Sequence, residues 1–267
     1  MMQQLNIAFI GGGNMAEALI AGLRGAGHEG CRITVSDPQK VRCDCLADQY
    51  SVSCVQQNSL AASSADVLIM AVKPQQMQGA LKEISGHLKA GATVISIAAG
   101  VSTASLKRWS NEHANIVRVM PNTPALLGAG MSVLFSDADE LHKQRTEYVL
   151  NACGECLRVD KEQMMHAVTA VSGSGPAYLF LMAEVMQATG EKLGLSNEVA
   201  AKLAAQTVFG AGKMLSESGR SAKDLRTQVT SPGGTTQAAL DVMYEVGLPA
   251  AVRQGIEAAS KRSQELS

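Results

Sequence analysis

The chain has 267 residues, of which 18% are charged and 3% aromatic, and its formal net charge is −1. A balance this close to neutral excludes a nucleic-acid backbone as the main ligand, because phosphate binding takes clustered Lys and Arg, and scarce aromatics exclude a base-stacking surface. The length suits one or two domains at roughly 150 residues each, and a charged fraction below the usual ~25% implies that another subunit covers part of the surface.

The N-terminus passes through Gln3 and Gln4 straight into an apolar run, with no basic region and no small-residue cleavage site, which predicts a cytoplasmic protein. Apolar runs follow at 5–10, 33–35, 67–72, 93–97, 116–119, 131–135 and 156–159. The first five are rich in Val and Ile, and most are nearly continuous, as strands of a parallel sheet covered on both faces are. Segments 16–26, 38–50, 75–88 and 102–110 between them space their apolar residues by three and four. This alternation predicts a doubly wound α/β domain, Rossmann-like, over residues 1–161.

From residue 162 good helix formers dominate, and helices are predicted at 162–171, 176–193, 197–217, 222–229, 236–246 and 249–265. Pro176 and Pro249 suit a first helical turn, Gly194 a helix end, and Ser221 with Asp224 a capping box. Residues 162–267 therefore form an all-α domain. Helices 176–193 and 197–217 are apolar over much of their circumference and must be buried on several sides. About 105 residues cannot enclose both, so a homodimer through this domain is expected, with higher oligomers of dimers open. The most apolar stretch, 178–186, is short and contains Glu184, so no membrane span is expected.

The first strand ends in Gly11-Gly12-Gly13-Asn14-Met15-Ala16, which fits G-x-G-x-x-A. Gly11 allows the tight turn, Gly13 lets a pyrophosphate approach the backbone, and Ala16 lets the helix pack close. Asp37, after the second strand, suits either a ribose hydroxyl or a helix cap, while Lys40 and Arg42 suit a 2′-phosphate. Ala71-Val72-Lys73-Pro74, Ala98-Ala99-Gly100 and Met120-Pro121-Asn122-Thr123-Pro124 end later strands and face the same crevice. Ser172-Gly-Ser-Gly-Pro-Ala177 and Ser231-Pro-Gly-Gly-Thr-Thr236 interrupt helical sequence, placing free amides and hydroxyls where a carboxylate or phosphate binds.

The five histidines show no metal-ligand spacing, no hydrolase elbow or P-loop is present, and no metal is expected. Cys153-Gly-Glu-Cys156 lacks a second pair at zinc spacing and reads as reduced thiols. A nicotinamide enzyme without an evident acid–base dyad suits an acceptor already polarised, such as a protonated imine.

These motifs resemble the pyrroline-5-carboxylate reductase family over nearly the whole chain: FIGGGNMA at 9–16, AVKPQ at 71–75, SIAAGV at 96–101, MPNTPA at 120–125, VSGSGPAY at 171–178 and TSPGGTT at 230–236. The resemblance implies a Rossmann domain, an interlocking all-α dimer domain, and reduction of 1-pyrroline-5-carboxylate to L-proline by NADPH, with NADH possible. By position it implies that Gly11, Gly12, Gly13, Asn14, Met15, Ser36, Asn58, Ala71, Val72, Lys73, Pro74, Ala98, Ala99 and Gly100 hold the cofactor. It likewise implies that Ser231, Gly233, Gly234, Thr235 and Thr236 hold the substrate, with Thr236 the catalytic hydroxyl nearest the ring nitrogen. A β-hydroxyacid dehydrogenase would share the architecture but leans on a helical-domain lysine, where this chain has Thr and Ser.

Overall fold

A computed structural model describes residues 2–113 and 115–267. By contact they form two compact units: one runs to Ser174 and takes in Ala259–Ser267, the other is Gly175–Ala258.

The first unit holds an eight-stranded sheet: β1 (Ile7–Ile10), β2 (Ile33–Ser36), β3 (Ser53–Val55), β4 (Val67–Met70), β5 (Thr93–Ser96), β6 (Ile116–Met120), β7 (Gly130–Phe135) and β8 (Gly154–Arg158). Its order is β3-β2-β1-β4-β5-β6-β7-β8. The strands from β3 to β6 run parallel, whereas β7 is antiparallel to β6 and parallel to β8. Alternate residues serve opposite faces. Ile7 and Phe9 join one core with Val67, Ile69 and Ile95, while Ala8 and Ile10 join another with Leu68, Met70 and Val94. Both faces of β1, β4 and β5 are buried, so polar residues have nowhere to alternate and the sequence reads as unbroken apolar runs.

Helices α1 (Asn14–Gly25), α2 (Lys40–Tyr50), α3 (Asn58–Ser64), α4 (Pro74–Ile84), α5 (Thr103–Trp109) and α6 (Glu140–Leu150) cover the sheet. Neither β3, α3 nor α6 is among the predicted elements. On α1, Gly22 carries no side chain because a Cβ would lie 2.4 Å from the Ala152 carbonyl oxygen, so the helix packs tightly beside Cys153.

After β8 come α7 (Met164–Val168) and a π-helical turn, Thr169–Gly173, in which the Ser174 amide donates to the Thr169 carbonyl at 2.8 Å. Here the structure corrects the sequence reading. The stretch 172–177 is not an open loop before a fresh helix but a widened turn leading into α8 (Gly175–Lys192). The Met120 side chain packs against Gly173 in this turn. Buried Arg118 pairs with Glu162 at 2.9 Å, and Glu162 also accepts from the Thr103 amide and hydroxyl at 2.8 and 2.7 Å, tying α5 to the chain entering α7.

The second unit contains α8, α9 (Asn197–Glu217), α10 (Ala222–Gln228), α11 (Thr235–Glu245) and most of α12 (Leu248–Glu265). Gly194, at φ +100, ends α8, with Leu195 donating to the Gly190 carbonyl and Gly194 to that of Glu191, the two bonds of a Schellman end. Ser221 caps α10 by accepting from the Asp224 amide at 3.1 Å. Among the described residues of this unit only Ala200, Ala204 and Leu225 are buried apolar side chains.

Candidate functional site

The strand order reverses between β1 and β4, the place where open α/β sheets bind ligands beyond the carboxyl ends of their strands. A cleft of about 360 Å³ lies there, lined by Met15 after β1, Ala71 to Pro74 after β4, Ile97 to Ala99 after β5, Met120 to Thr123 at the end of β6, and Gly173.

The glycine turn that opens into α1 has a distinct constraint at each position. Gly11 stands at φ +96, and a Cβ there would come 2.7 Å from the Ala71 carbonyl oxygen. Its amide donates to the Ser36 carbonyl at 2.8 Å, fastening the turn to β2. Gly12 is buried, and its amide donates to Asp37 Oδ2 at 2.8 Å. Gly13 is exposed with nothing within 4 Å of a would-be Cβ, leaving open backbone beside the α1 N-terminus. First-turn amides of a helix have no intrahelical partner, and the dipole there favours an anion. Buried Ala16 allows the close packing expected of it. These features fit a dinucleotide pyrophosphate.

Of the other residues implied as cofactor contacts, Met15, Ala71, Val72, Lys73, Pro74, Ala98 and Ala99 line the cleft. Lys73 is exposed at the start of α4 and makes no ion pair among the described residues. Ser36 is buried, its hydroxyl donating to Asn58 Oδ1 at 2.8 Å, and Asn58 donates on to Glu83 at 2.8 Å. Gly100, at φ +75, is closed over by Leu266, whose carbonyl oxygen would lie 3.0 Å from a Cβ. The cleft lining thus omits Ser36, Asn58 and Gly100, as it does Gly11 to Asn14 of the turn beside it.

The residues implied for substrate all gather at one helix start in the second unit. Gly234 is the N-cap of α11, Gly233 turns the chain at φ +69, and the Gly234 amide closes a turn on the Ser231 carbonyl at 3.0 Å. No side chain caps this helix, and the hydroxyls of Ser231 and Thr236 make no hydrogen bond among the described residues. The guanidinium of Arg226 on α10 stands 6.0 Å from the Tyr244 ring on α11, a cation–π contact that braces the connector. A larger groove, about 460 Å³, lies among α8, α11 and α12, and Leu181, Met182, Val185, Val252 and Ile256 make it mostly apolar.

Two family models match the chain: one described as pyrroline-5-carboxylate reductase dimerisation over residues 162–266, the other as NADP oxidoreductase, coenzyme F420-dependent, over residues 6–100. The pyrroline-5-carboxylate reductase of Pseudomonas aeruginosa is 44% identical over 268 residues, covering 100% of this chain and 98% of that protein. The chain belongs to the pyrroline-5-carboxylate reductase family. Solved pyrroline-5-carboxylate reductases superpose along its length. That of Coxiella burnetii gives a TM-score of 0.93 at 39% identity over 98% of each chain. That of Plasmodium falciparum, with NADP bound, gives 0.88 at 30% identity over 100% of this chain and 99% of that one.

In this member of the pyrroline-5-carboxylate reductase family the cleft also takes in residues left off the expected cofactor set: Ile97, Met120, Pro121, Asn122, Thr123 and Gly173. Asn122 braces the wall, accepting from the Met131 amide at 2.9 Å and donating to Ser172 at 3.3 Å. The two prolines around Asn122-Thr123 were the visible signal. Burial pushes the Cys153 thiol up to about 11 and the Cys156 thiol up to about 12, away from the thiolate a reactive cysteine needs.

Proposed function

We propose that this family member reduces 1-pyrroline-5-carboxylate to L-proline, taking NADPH in preference to NADH, as a homodimer joined through its helical unit. When bound, the dinucleotide supplies the hydride that turns the ring C=N into CH–NH, while a proton on nitrogen completes the amine. The chain's part is to bind and orient. The open backbone at Gly13 admits the pyrophosphate to the α1 amides, and Ala71, Val72, Ala98 and Ala99 leave room for the rest of the cofactor because their side chains are small. Lys73 offers a positive charge at the rim. The α11 amides suit the substrate carboxylate, and Thr236 suits the ring nitrogen.

The observation that carries this reading is the open turn at Gly13 beside the cleft between β1 and β4. Full-length kinship with the reductases supports the substrate. The six thiols, all unpaired, suit the reducing cytoplasm where we place the reaction. No helix among the described residues is long and apolar enough to cross a membrane. The test is oxidation of NADPH and of NADH in the presence of pyrroline-5-carboxylate, beside NADP reduction with a 3-hydroxy acid. Turnover of the imine, faster with NADPH, is expected; turnover of the hydroxy acid alone overturns the reading.

A further inference from the structure

The peptide of Gly12 is held from both sides. Its N–H donates to Asp37 Oδ2 at 2.8 Å, and its carbonyl accepts from Arg42 Nε. Neither holder is free. The other Asp37 oxygen accepts from the Gln39 amide at 2.8 Å, at the start of α2. Arg42 reaches with its second nitrogen to Glu17 on α1 at 2.5 Å, and Glu17 accepts from the Tyr50 hydroxyl at 3.2 Å. Burial, then the neighbouring Glu17 carboxylate, pushes the Tyr50 phenol up, so it stays a donor. Arg42 is thus the cation of an ion pair with Glu17 and is not left as a free charge for a ligand. Buried Gly12 leaves little slack, since a Cβ would meet Leu46 at 3.0 Å.

We infer that Asp37 and Arg42 are positioning residues, two jaws that fix the Gly12 peptide and so the approach of Gly13 to the pyrophosphate, and that neither distinguishes NADPH from NADH. An acid at the end of the second strand ordinarily reads the ribose; here one oxygen holds the Gly12 amide and the other the Gln39 amide. Because the pyrophosphate is common to both cofactors, the clamp acts on both alike. The inference rests on the dinucleotide reading of the cleft.

The test is fluorescence titration of NADPH and NADH with the full-length protein, its Asp37→Asn and Arg42→Gln variants, the double variant and Glu17→Gln, together with steady-state kinetics and thermal melts. Each jaw variant is expected to raise both Kd values by a similar factor, roughly tenfold for one lost charge-assisted hydrogen bond. The ratio of the two Kd values should stay within about twofold, and kcat at saturating cofactor should change less than Kd. The double variant should lose less than the product of the single losses, because both jaws hold one peptide. Glu17→Gln should weaken both cofactors by a smaller factor. A shift of about tenfold in the NADPH:NADH ratio in Asp37→Asn would show a carboxylate that reads the ribose and overturn the inference. Lower melting temperature with unchanged Kd would overturn it too, by showing a merely structural role. Should the unaltered protein bind neither dinucleotide, the reading of the cleft itself fails.

Discussion

Gly11 and Gly13 sit two residues apart, and substituting them should fail in opposite ways. Gly13 has φ −66 and ψ −179, which any residue adopts, and a Cβ there touches nothing within 4 Å. Valine is a poorer N-cap than glycine, a loss of at most about 1 kcal/mol. At about 2–4 °C per kcal/mol for a chain of this size, Gly13→Val should melt no more than a few degrees early. Its methyls, however, fill the space by which a pyrophosphate reaches the α1 amides. One lost charge-assisted hydrogen bond is worth about 1.5–3 kcal/mol, roughly a 10- to 150-fold rise in the NADPH Kd. Gly11→Ala reverses the pattern. At φ +96 a side chain adds about 1–3 kcal/mol of backbone strain, and a Cβ 2.7 Å from the Ala71 carbonyl adds about as much again from overpacking. Its melting temperature should fall by roughly 5–20 °C. Thermal melts and fluorescence titrations of NADPH on both variants decide the matter. A Gly13→Val protein with unchanged affinity, or one that melts as early as Gly11→Ala, refutes the reasoning.

Thr236→Val keeps the shape and removes the hydroxyl. It should cost about 1–3 kcal/mol in the transition state, roughly ten- to a hundredfold in kcat/KM for pyrroline-5-carboxylate, with NADPH affinity unmoved; the opposite split would deny Thr236 its role. Burial pushes the Glu162 carboxyl up, but bonds from Arg118 and Thr103 outweigh this and hold it below its ordinary 4.5. A depressed folded pKa gives stability complete above the unfolded value and lost as pH falls through the folded one. Glu162→Gln should therefore be about 3 kcal/mol less stable at neutral pH, with the gap to the parent closing in urea melts as the pH drops below that value; a gap constant with pH would contradict this. Phe180, 66% exposed on α8, should lie in the dimer contact, so sedimentation of Phe180→Asp at micromolar concentration should show monomer where the parent shows at least dimer; an unshifted boundary would clear α8 of that contact.

The sequence showed the centre of the sheet and lost its margins. Strands β1, β4 and β5, buried at every residue, could be read directly. At the sheet edge, β3 has only three residues and an exposed first position, too little for a pattern. Helix α6 buries His142, Thr146, Val149 and Leu150 at helical spacing, but the first two are polar and break the apolar stripe. His142 is buried because Thr93 meets its ring at 2.8 Å, a tertiary partner that no local window contains. The reversal of β7 was in principle readable, because 121–129 is shorter than the dozen or more residues a parallel crossover takes. In the cleft, the glycine turn and the strand ends were legible because their residue types are forced by backbone approach. The role of Asp37 was not, since ribose contact and helix cap ask for the same carboxylate, and only its bond to Gly12 shows what it holds.

The low charge seen in the composition and the helical unit have one physical explanation. Helix α8 buries none of its residues within the single chain, nor does α11. Leu179, Phe180, Leu181 and Val185 are each more than half exposed on α8, and Phe209 and Leu215 are at least half exposed on α9. An apolar side chain moved out of water gains about 1.5–3 kcal/mol, so a single copy forgoes that gain at every such position. Isolated exposed leucines are ordinary, but contiguous apolar patches on a monomer are not. The proposed symmetric partner would answer them together, because a two-fold interface presents each patch to its own copy. The homodimer proposed above would make these helices, over-hydrophobic for a unit of this size, an interior shared by two chains, and the scarcity of charge would be the trace that interior leaves in the sequence.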